Sequence, residues 1–212
     1  RRCGTPRQIT VSLALSKRFS VEDMEELYSG IRLACQQYHV DIIGGDTSSS
    51  LTGLAISITC IGDADKDKVV YRNGAKDTDL ICVSGDLGAA YMGLQLLERE
   101  KTVLKGEKDI QPDFTGKEYL LERQLKPEAR KDIIEKLAAA NIVPTSMMDI
   151  SDGLSSELMH ICKQSNTGCR VYEEHIPIDY QTAVMAEEFN MNLTTCAMNG
   201  GEDYELIRTT DH

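Results

Sequence analysis

Two apolar rhythms take turns along this chain, and they constrain its fold more than any other feature. Ile9, Val11, Leu13 and Leu15 alternate with other residues, the period of a half-buried strand. Met24, Leu27, Tyr28, Ile31, Cys35 and Tyr38 follow at helical spacing behind Ser20, a candidate N-cap with Glu22 and Asp23 in the first turn. Residues 40–43 predict a second strand ending at Gly44. Residues 54–61 predict a third, with Leu54, Ile56, Ile58 and Cys60 on one face. A polar connector covers 62–68. Residues 80–84 predict a strand, and a helix follows from Gly85 to about Glu98. Residues 99–116 read as an irregular, mobile loop broken by Gly106, Pro112 and Gly116. Pro127 is placed as the first residue of a helix continuing through Ile133, Ile134, Leu137 and Ala138. Residues 145–150 predict a strand that feeds a helix over 152–164, with Leu154, Leu158 and Ile161 as its buried stripe and Gly168 as its end signal. A strand at 169–172, a helix at 181–189 and the start of a last strand at 204–207 complete the pattern. Strands and helices mix throughout, so the class is α/β or α+β, with a change of domain near residues 63–79.

The chain has 212 residues and a net charge of −11. That balance speaks against a nucleic-acid partner, because neutralising phosphates needs clustered Lys and Arg. An acidic protein that handles a polyphosphate must instead use metal cations or a focused cationic pocket. With no Trp and 3 Phe, the core has to be mostly aliphatic. The seven cysteines form no Cys-x-x-Cys pair, and Cys60 and Cys82 fall in apolar runs where buried free thiols are common. This usage, and the lack of an apolar run long enough to span a membrane, lead us to expect a reducing, cytoplasmic setting and no membrane partner. A chain that begins with Arg is expected to be part of a longer one. Asn192-Leu193-Thr194 matches a glycosylation sequon, read here as chance.

Three glycine-plus-acid clusters stand out: Gly44-Gly45-Asp46-Thr47, Asp149-Ile150-Ser151-Asp152-Gly153 and Gly200-Gly201-Glu202-Asp203-Tyr204-Glu205. Each sets carboxylates beside residues that permit tight turns and close backbone approach. Oxygen-rich sites of that kind suit Mg²⁺ carrying phosphate. A strand that ends at Asp149 and leads into a helix puts Asp149 and Asp152 beside free N–H groups, with the Ser151 hydroxyl at hand. Asp46 is a candidate metal ligand. Arg72, in Arg72-Asn73-Gly74, offers a guanidinium to a polyphosphate. Adjacent carboxylates at Glu202, Asp203 and Glu205 repel, and such groups are often stabilised by a cation or by donors on a substrate. Taken singly, each cluster also reads as something plainer: a helix cap, a turn, or a solvated acidic loop. No Walker-type loop, nucleophile elbow or Gly-x-Gly-x-x-Gly fingerprint is present.

In order along the chain, these clusters together with Arg72-Asn73-Gly74-Ala75-Lys76 to Asp79 and with Val83-Ser84-Gly85, Leu87-Gly88 resemble the thiamine-monophosphate kinase family. That family belongs to the aminoimidazole ribonucleotide synthetase-related superfamily. The resemblance runs from about Gly4 to Leu206. It implies a two-domain fold, with an N-terminal mixed sheet and helices in an ATP- and Mg²⁺-binding domain over residues 1–72 and a C-terminal α/β domain over 73–212, both incomplete. It implies transfer of the ATP γ-phosphoryl group to thiamine monophosphate, and a homodimer formed through the N-terminal domain. By motif position it makes Asp46, Asp149 and Asp152 Mg²⁺ ligands, sets Gly45, Asp46, Arg72 and Ser151 at ATP, and sets Glu202 at thiamine monophosphate. The family's N-terminal Gly-Asp-Asp segment and a C-terminal part are absent here, and Arg208 interrupts its last apolar strand. The alternatives are a sibling ATP-dependent enzyme with another acceptor and a noncatalytic nucleotide-binding module.

Overall fold

The protein is described from a computed structural model, which covers residues 4–105 and 112–211. It divides into two compact units, Cys3–Val69 and Val70–His212.

In the first unit, β1 (Thr5–Leu15) lies between β2 (Asp41–Ser49), to which it runs parallel, and β3 (Leu54–Asp63), to which it runs antiparallel. One helix, α1 (Val21–Tyr38), packs on this sheet. The expected alternation holds: Ile9, Val11 and Leu13 are buried against Met24, Leu27, Tyr28, Ile31 and Cys35. Ser20 caps α1 as expected. Its hydroxyl accepts from the Asp23 N–H at 3.1 Å, and the Asp23 carboxylate accepts from the Ser20 N–H at 2.7 Å, a reciprocal cap. Two expectations fail in this unit. The Gly44-Gly45-Asp46-Thr47 cluster is not a turn, because β2 runs through it to Ser49. The register with β1 slips beside Gly44, and a Cβ on Gly45 would come within 1.8 Å of the Val11 carbonyl oxygen. These glycines therefore serve a bulge and a close strand approach. Cys60 is exposed rather than buried, because β3 is an edge strand.

The second unit is built on β4 (Leu80–Val83), β5 (Ser146–Asp149) and β6 (Leu206–Thr210). The central strand β6 is antiparallel to both neighbours. The C-terminal ends of β4 and β5 therefore flank the N-terminal end of β6. Helices α2 (Ala89–Val103), α3 (Glu118–Leu125), α4 (Lys131–Ala139), α5 (Leu154–Ser165), α6 (Tyr180–Glu188) and α7 (Leu193–Asn199) surround this sheet. One core joins Leu87, Met148, Ile150, Leu154, Leu158, Ile161 and Ile207. A second joins Met92, Leu120, Met185, Ala186 and Cys196.

Several boundaries differ from the sequence expectation. Residues 99–103 belong to α2, and 106–111, including the expected breaker Gly106, lie outside the described residues. Helix α4 begins at Lys131, not at Pro127, and α3 and α7 were not anticipated. Helix α5 ends at Asn166 (φ 53), which takes the left-handed turn expected of Gly168. Residues 169–172 form no strand; a 3₁₀ turn at Glu173–His175 follows them. Asn192 is the cap of α7, its side-chain oxygen accepting from the Thr195 N–H at 2.8 Å, so the sequon-like triplet has a structural use. Among the described residues no helix is long and apolar enough to cross a membrane.

Candidate phosphate-handling site at one end of the second sheet

Sheet topology brings three of the five motifs to one place. Ser84 and Gly85 follow β4, Asp149 to Gly153 follow β5, and Gly200 to Glu205 precede β6, so all three segments gather at the same end of the sheet. Backbone hydrogen bonds then join the last two. The Ile150 N–H donates to the Glu205 carbonyl at 2.7 Å, Tyr204 N–H to the Ile150 carbonyl at 2.8 Å, and Glu202 N–H to the Ser151 carbonyl at 2.8 Å. The fit is close enough to require glycine. A Cβ on Gly153 (φ +105) would meet the Met198 carbonyl at 2.7 Å, and one on Gly201 (φ +71) would meet the Ser151 carbonyl at 2.8 Å.

On the β5 side, the capping alternative for this cluster fails. The N-cap of α5 is Gly153, and no side chain caps it, so neither Ser151 nor Asp152 is used for that purpose. Ser151 is half-buried and Asp152 exposed at the N-terminus of a twelve-residue helix, where partial positive charge favours an anion. Behind them Glu157, missed from the sequence, is almost fully buried, and its Oε1 accepts from the Asp152 N–H at 3.4 Å. Burial pushes the Glu157 carboxyl above the usual carboxylate range. The available signal was an acid in the first turn of α5.

The Gly200 to Glu205 cluster splits into two kinds of acid. Glu202 is exposed, in a left-handed conformation (φ 63), and its carboxylate accepts from the Tyr204 hydroxyl at 2.8 Å. Asp203 and Glu205 face inward, each 1% exposed. Their stabilising donors belong to this chain. Asp203 accepts from the Gly88 N–H at 2.9 Å and the Ala90 N–H at 3.4 Å, so it caps α2, whose own N-cap residue is a glycine. Glu205 accepts from Arg123 at 3.0 Å, from Arg130 at 2.9 and 2.7 Å, and from the Ser84 hydroxyl at 2.5 Å. Arg130 is itself held by Asp132 through two bonds of 3.0 Å. No local pattern at Arg123 or Arg130 marks them as partners of an acid 75 or more residues away.

Burial pushes Asp203 up to about 6, against the pull of the Gly88 N–H, Arg123 and the Ala90 N–H. A carboxyl raised in the folded state stabilises the fold below its unfolded value of about 4. That contribution fades as pH rises through about 6. Between pH 4 and 7 the wild type should lose on the order of 2–3 kcal/mol through this group, a loss that Asp203→Asn lacks. Urea denaturation of both proteins at several pH values checks this. Parallel pH profiles would contradict it.

The remaining expected residues fall in two places. Arg72 is exposed in the second unit, next to Tyr71, whose carbonyl accepts from the β5 residue Met147 at 3.0 Å, so Arg72 runs beside the strand that ends at Asp149. Gly45 and Asp46 lie on β2 of the first unit, with Asp46 exposed. Among the described residues, no group of three or more His, Cys, Asp or Glu is arranged to hold a metal ion. The second unit does supply hard oxygen donors on one loop, the Asp149 and Asp152 carboxylates with the Ser151 hydroxyl. Such a set suits Mg²⁺, which takes one or two carboxylates and completes its shell with water and substrate phosphate.

The chain is similar to known proteins in sequence and in fold. The family "AIR synthase related protein, N-terminal domain" matches residues 2–64. Thiamine-monophosphate kinase of Bacillus subtilis (strain 168) is 31% identical over 214 residues, spanning 99% of this chain and 60% of that protein. The crystal structure of thiamine monophosphate kinase from Aquifex aeolicus superposes with a TM-score of 0.86 at 30% identity, over 99% of this chain and 67% of that one. AaThiL complexed with AMPPCP and TMP gives the same TM-score of 0.86 and 30% identity, over 99% of this chain and 63% of that one. The chain therefore spans roughly three fifths of the length of such curated relatives.

Proposed function

The chain belongs to the thiamine-monophosphate kinase family, and on that premise we propose that it transfers the γ-phosphoryl group of ATP to thiamine monophosphate, giving thiamine diphosphate and ADP. One observation carries this reading: Asp149, Ser151, Asp152 and Glu202 are presented together, on loops that close-packed glycines and backbone hydrogen bonds hold at one end of a sheet. A helix N-terminus preceded by two carboxylates, Asp149 and the exposed Asp152, is suited to a phosphate chain and its counter-ion. In the second unit we assign Asp149 and Asp152 to Mg²⁺, Arg72 and Ser151 to ATP and Glu202 to thiamine monophosphate; in the first unit, taken by itself, we assign Asp46 to Mg²⁺ and Gly45 and Asp46 to the nucleotide. Mg²⁺, when bound, would screen the repulsion between donor and acceptor phosphates.

The chain's own part is positioning. The α5 N-terminus and Ser151 hold phosphate oxygens, and Arg72 adds a fixed positive charge. The attacking atom is a phosphate oxygen that is already ionised, so no strong general base is required and transfer is direct. A phosphorylated form of the chain during turnover would contradict that. Arg72→Ala should raise KM for ATP several-fold and leave KM for thiamine monophosphate nearly unchanged. The reverse pattern would overturn the assignment of Arg72.

The reading extends to a cytoplasmic homodimer. Ile42, Ile43, Ile56, Ile58 and Ile61 of β2 and β3, each at least 37% exposed, support a pairing of first units. The deciding experiment mixes the chain with Mg²⁺, ATP and thiamine monophosphate and detects thiamine diphosphate as its fluorescent oxidised derivative. Product that disappears with EDTA is expected. ATP binding without product would favour a sibling acceptor or a noncatalytic module.

A further inference from the structure

At its C-terminal end, about 18 Å along the helix axis from the phosphate-handling loop, α5 carries a feature that this function does not use. The chain reverses at Asn166, and the N–H groups of Asn166 and Thr167 both return to the Cys162 carbonyl. This reversal turns the chain back toward the last turns of the helix, so that Cys162 and Cys169 face one cavity and their thiols are close enough to perturb each other. Cys162 is half-buried and Cys169 is exposed. Both line a cavity of about 730 Å³, together with Leu158, Thr167 and Arg170. The two sulfurs are thus neighbours across a loop of six residues, open to small solutes, and closing so short a loop costs little chain entropy.

We propose that Cys162 and Cys169 form a thiol-modification site, becoming an intramolecular disulfide when the protein meets a small-molecule disulfide such as oxidised glutathione. One cysteine, as thiolate, attacks a sulfur of the oxidant, breaking its S–S bond and releasing one glutathione thiolate. The other thiol loses its proton to solvent and attacks the protein sulfur of the mixed disulfide, expelling the second glutathione. The pair gives up two electrons, which the oxidant takes, and an added dithiol reverses the exchange. Burial and the neighbouring Cys162 hold the Cys169 thiol above its ordinary range, so the reaction should quicken as pH rises.

The test needs no catalytic activity and does not depend on the proposed kinase reaction. The protein is incubated with oxidised glutathione, its remaining thiols are alkylated, and it is digested with trypsin. Cleavage after Lys163 and Arg170 places the two cysteines in separate peptides. The expected result is a linked peptide pair that dithiothreitol separates, with both thiols lost from alkylation. Cys169→Ser should instead retain glutathione on Cys162. The proposal is overturned if both cysteines are recovered alkylated while exposed Cys60 is modified, or if both carry glutathione without a link.

Discussion

Asp152→Asn is expected to lower turnover by about 10²-fold or more while leaving the fold and its stability unchanged. The two halves of this expectation have separate reasons. Asp152 is exposed, does not cap α5, and follows a strand end held by backbone hydrogen bonds, so an isosteric amide there disturbs little packing. On the proposed reading, its negative charge helps to hold a cation against phosphate. On that reading, removing the charge weakens the hold on the cation and so reduces the positive charge available as phosphoryl charge redistributes, an electrostatic contribution of several kcal/mol in a water-poor site. Asp149→Asn should behave alike in rate. Ser151→Ala should lose less, because a neutral hydroxyl contributes a single hydrogen bond. Steady-state kinetics beside urea denaturation checks all three. Near-normal rates in both Asp variants would remove Asp149 and Asp152 from the site.

What could be read from the amino-acid sequence depended on whether the signal was local. The strands β1, β3, β4 and β5 and the helices α1 and α5 show their own period and boundaries, so they were visible. So was the gathering of carboxylates behind glycines. The strand expected to end at Gly44 runs on to Ser49, and the alternative of a turn there fails, because glycine serves two ends: it permits a reversal, and it also permits a neighbouring strand to approach closely, as Val11 does here. The acidic loop at 202–205, for which a cation or substrate donors are expected and a solvated loop is the plainer alternative, draws its donors from the chain itself. The partners of Asp203 and Glu205 were not legible because they lie far off in sequence, in Arg123, Arg130 and the N-terminus of α2. Periodicity carries no information about such pairings. Helix α7, seven residues long and capped by Asn192, was too short to display a period.

Those long-range partners give the second large effect, this time on stability. Glu205→Ala is expected to destabilise the second unit by about 3–5 kcal/mol. The carboxylate is 1% exposed, and it is the shared acceptor for two guanidinium groups whose side chains are only 15% and 20% exposed. Truncation leaves Arg123 and Arg130 facing each other without the charge between them. It also takes an acceptor from the Ser84 hydroxyl, which in turn accepts from the Leu206 N–H at 2.8 Å, so the first residue of β6 loosens as well. Glu205→Gln keeps the shape and one carbonyl acceptor, so it should cost less than the alanine variant. Gly85→Ala should reproduce much of the damage from the other side, since its Cβ would come within 2.2 Å of the Glu205 carboxylate at φ +59. A replacement of Glu205, Arg123 and Arg130 together by apolar residues of similar size should recover a large part of the loss, because the main cost is the unpaired charge rather than the missing pair. Urea midpoints for the four variants beside the wild type decide the matter. If Glu205→Ala unfolds like the wild type, the inward-facing acids are not what holds this loop.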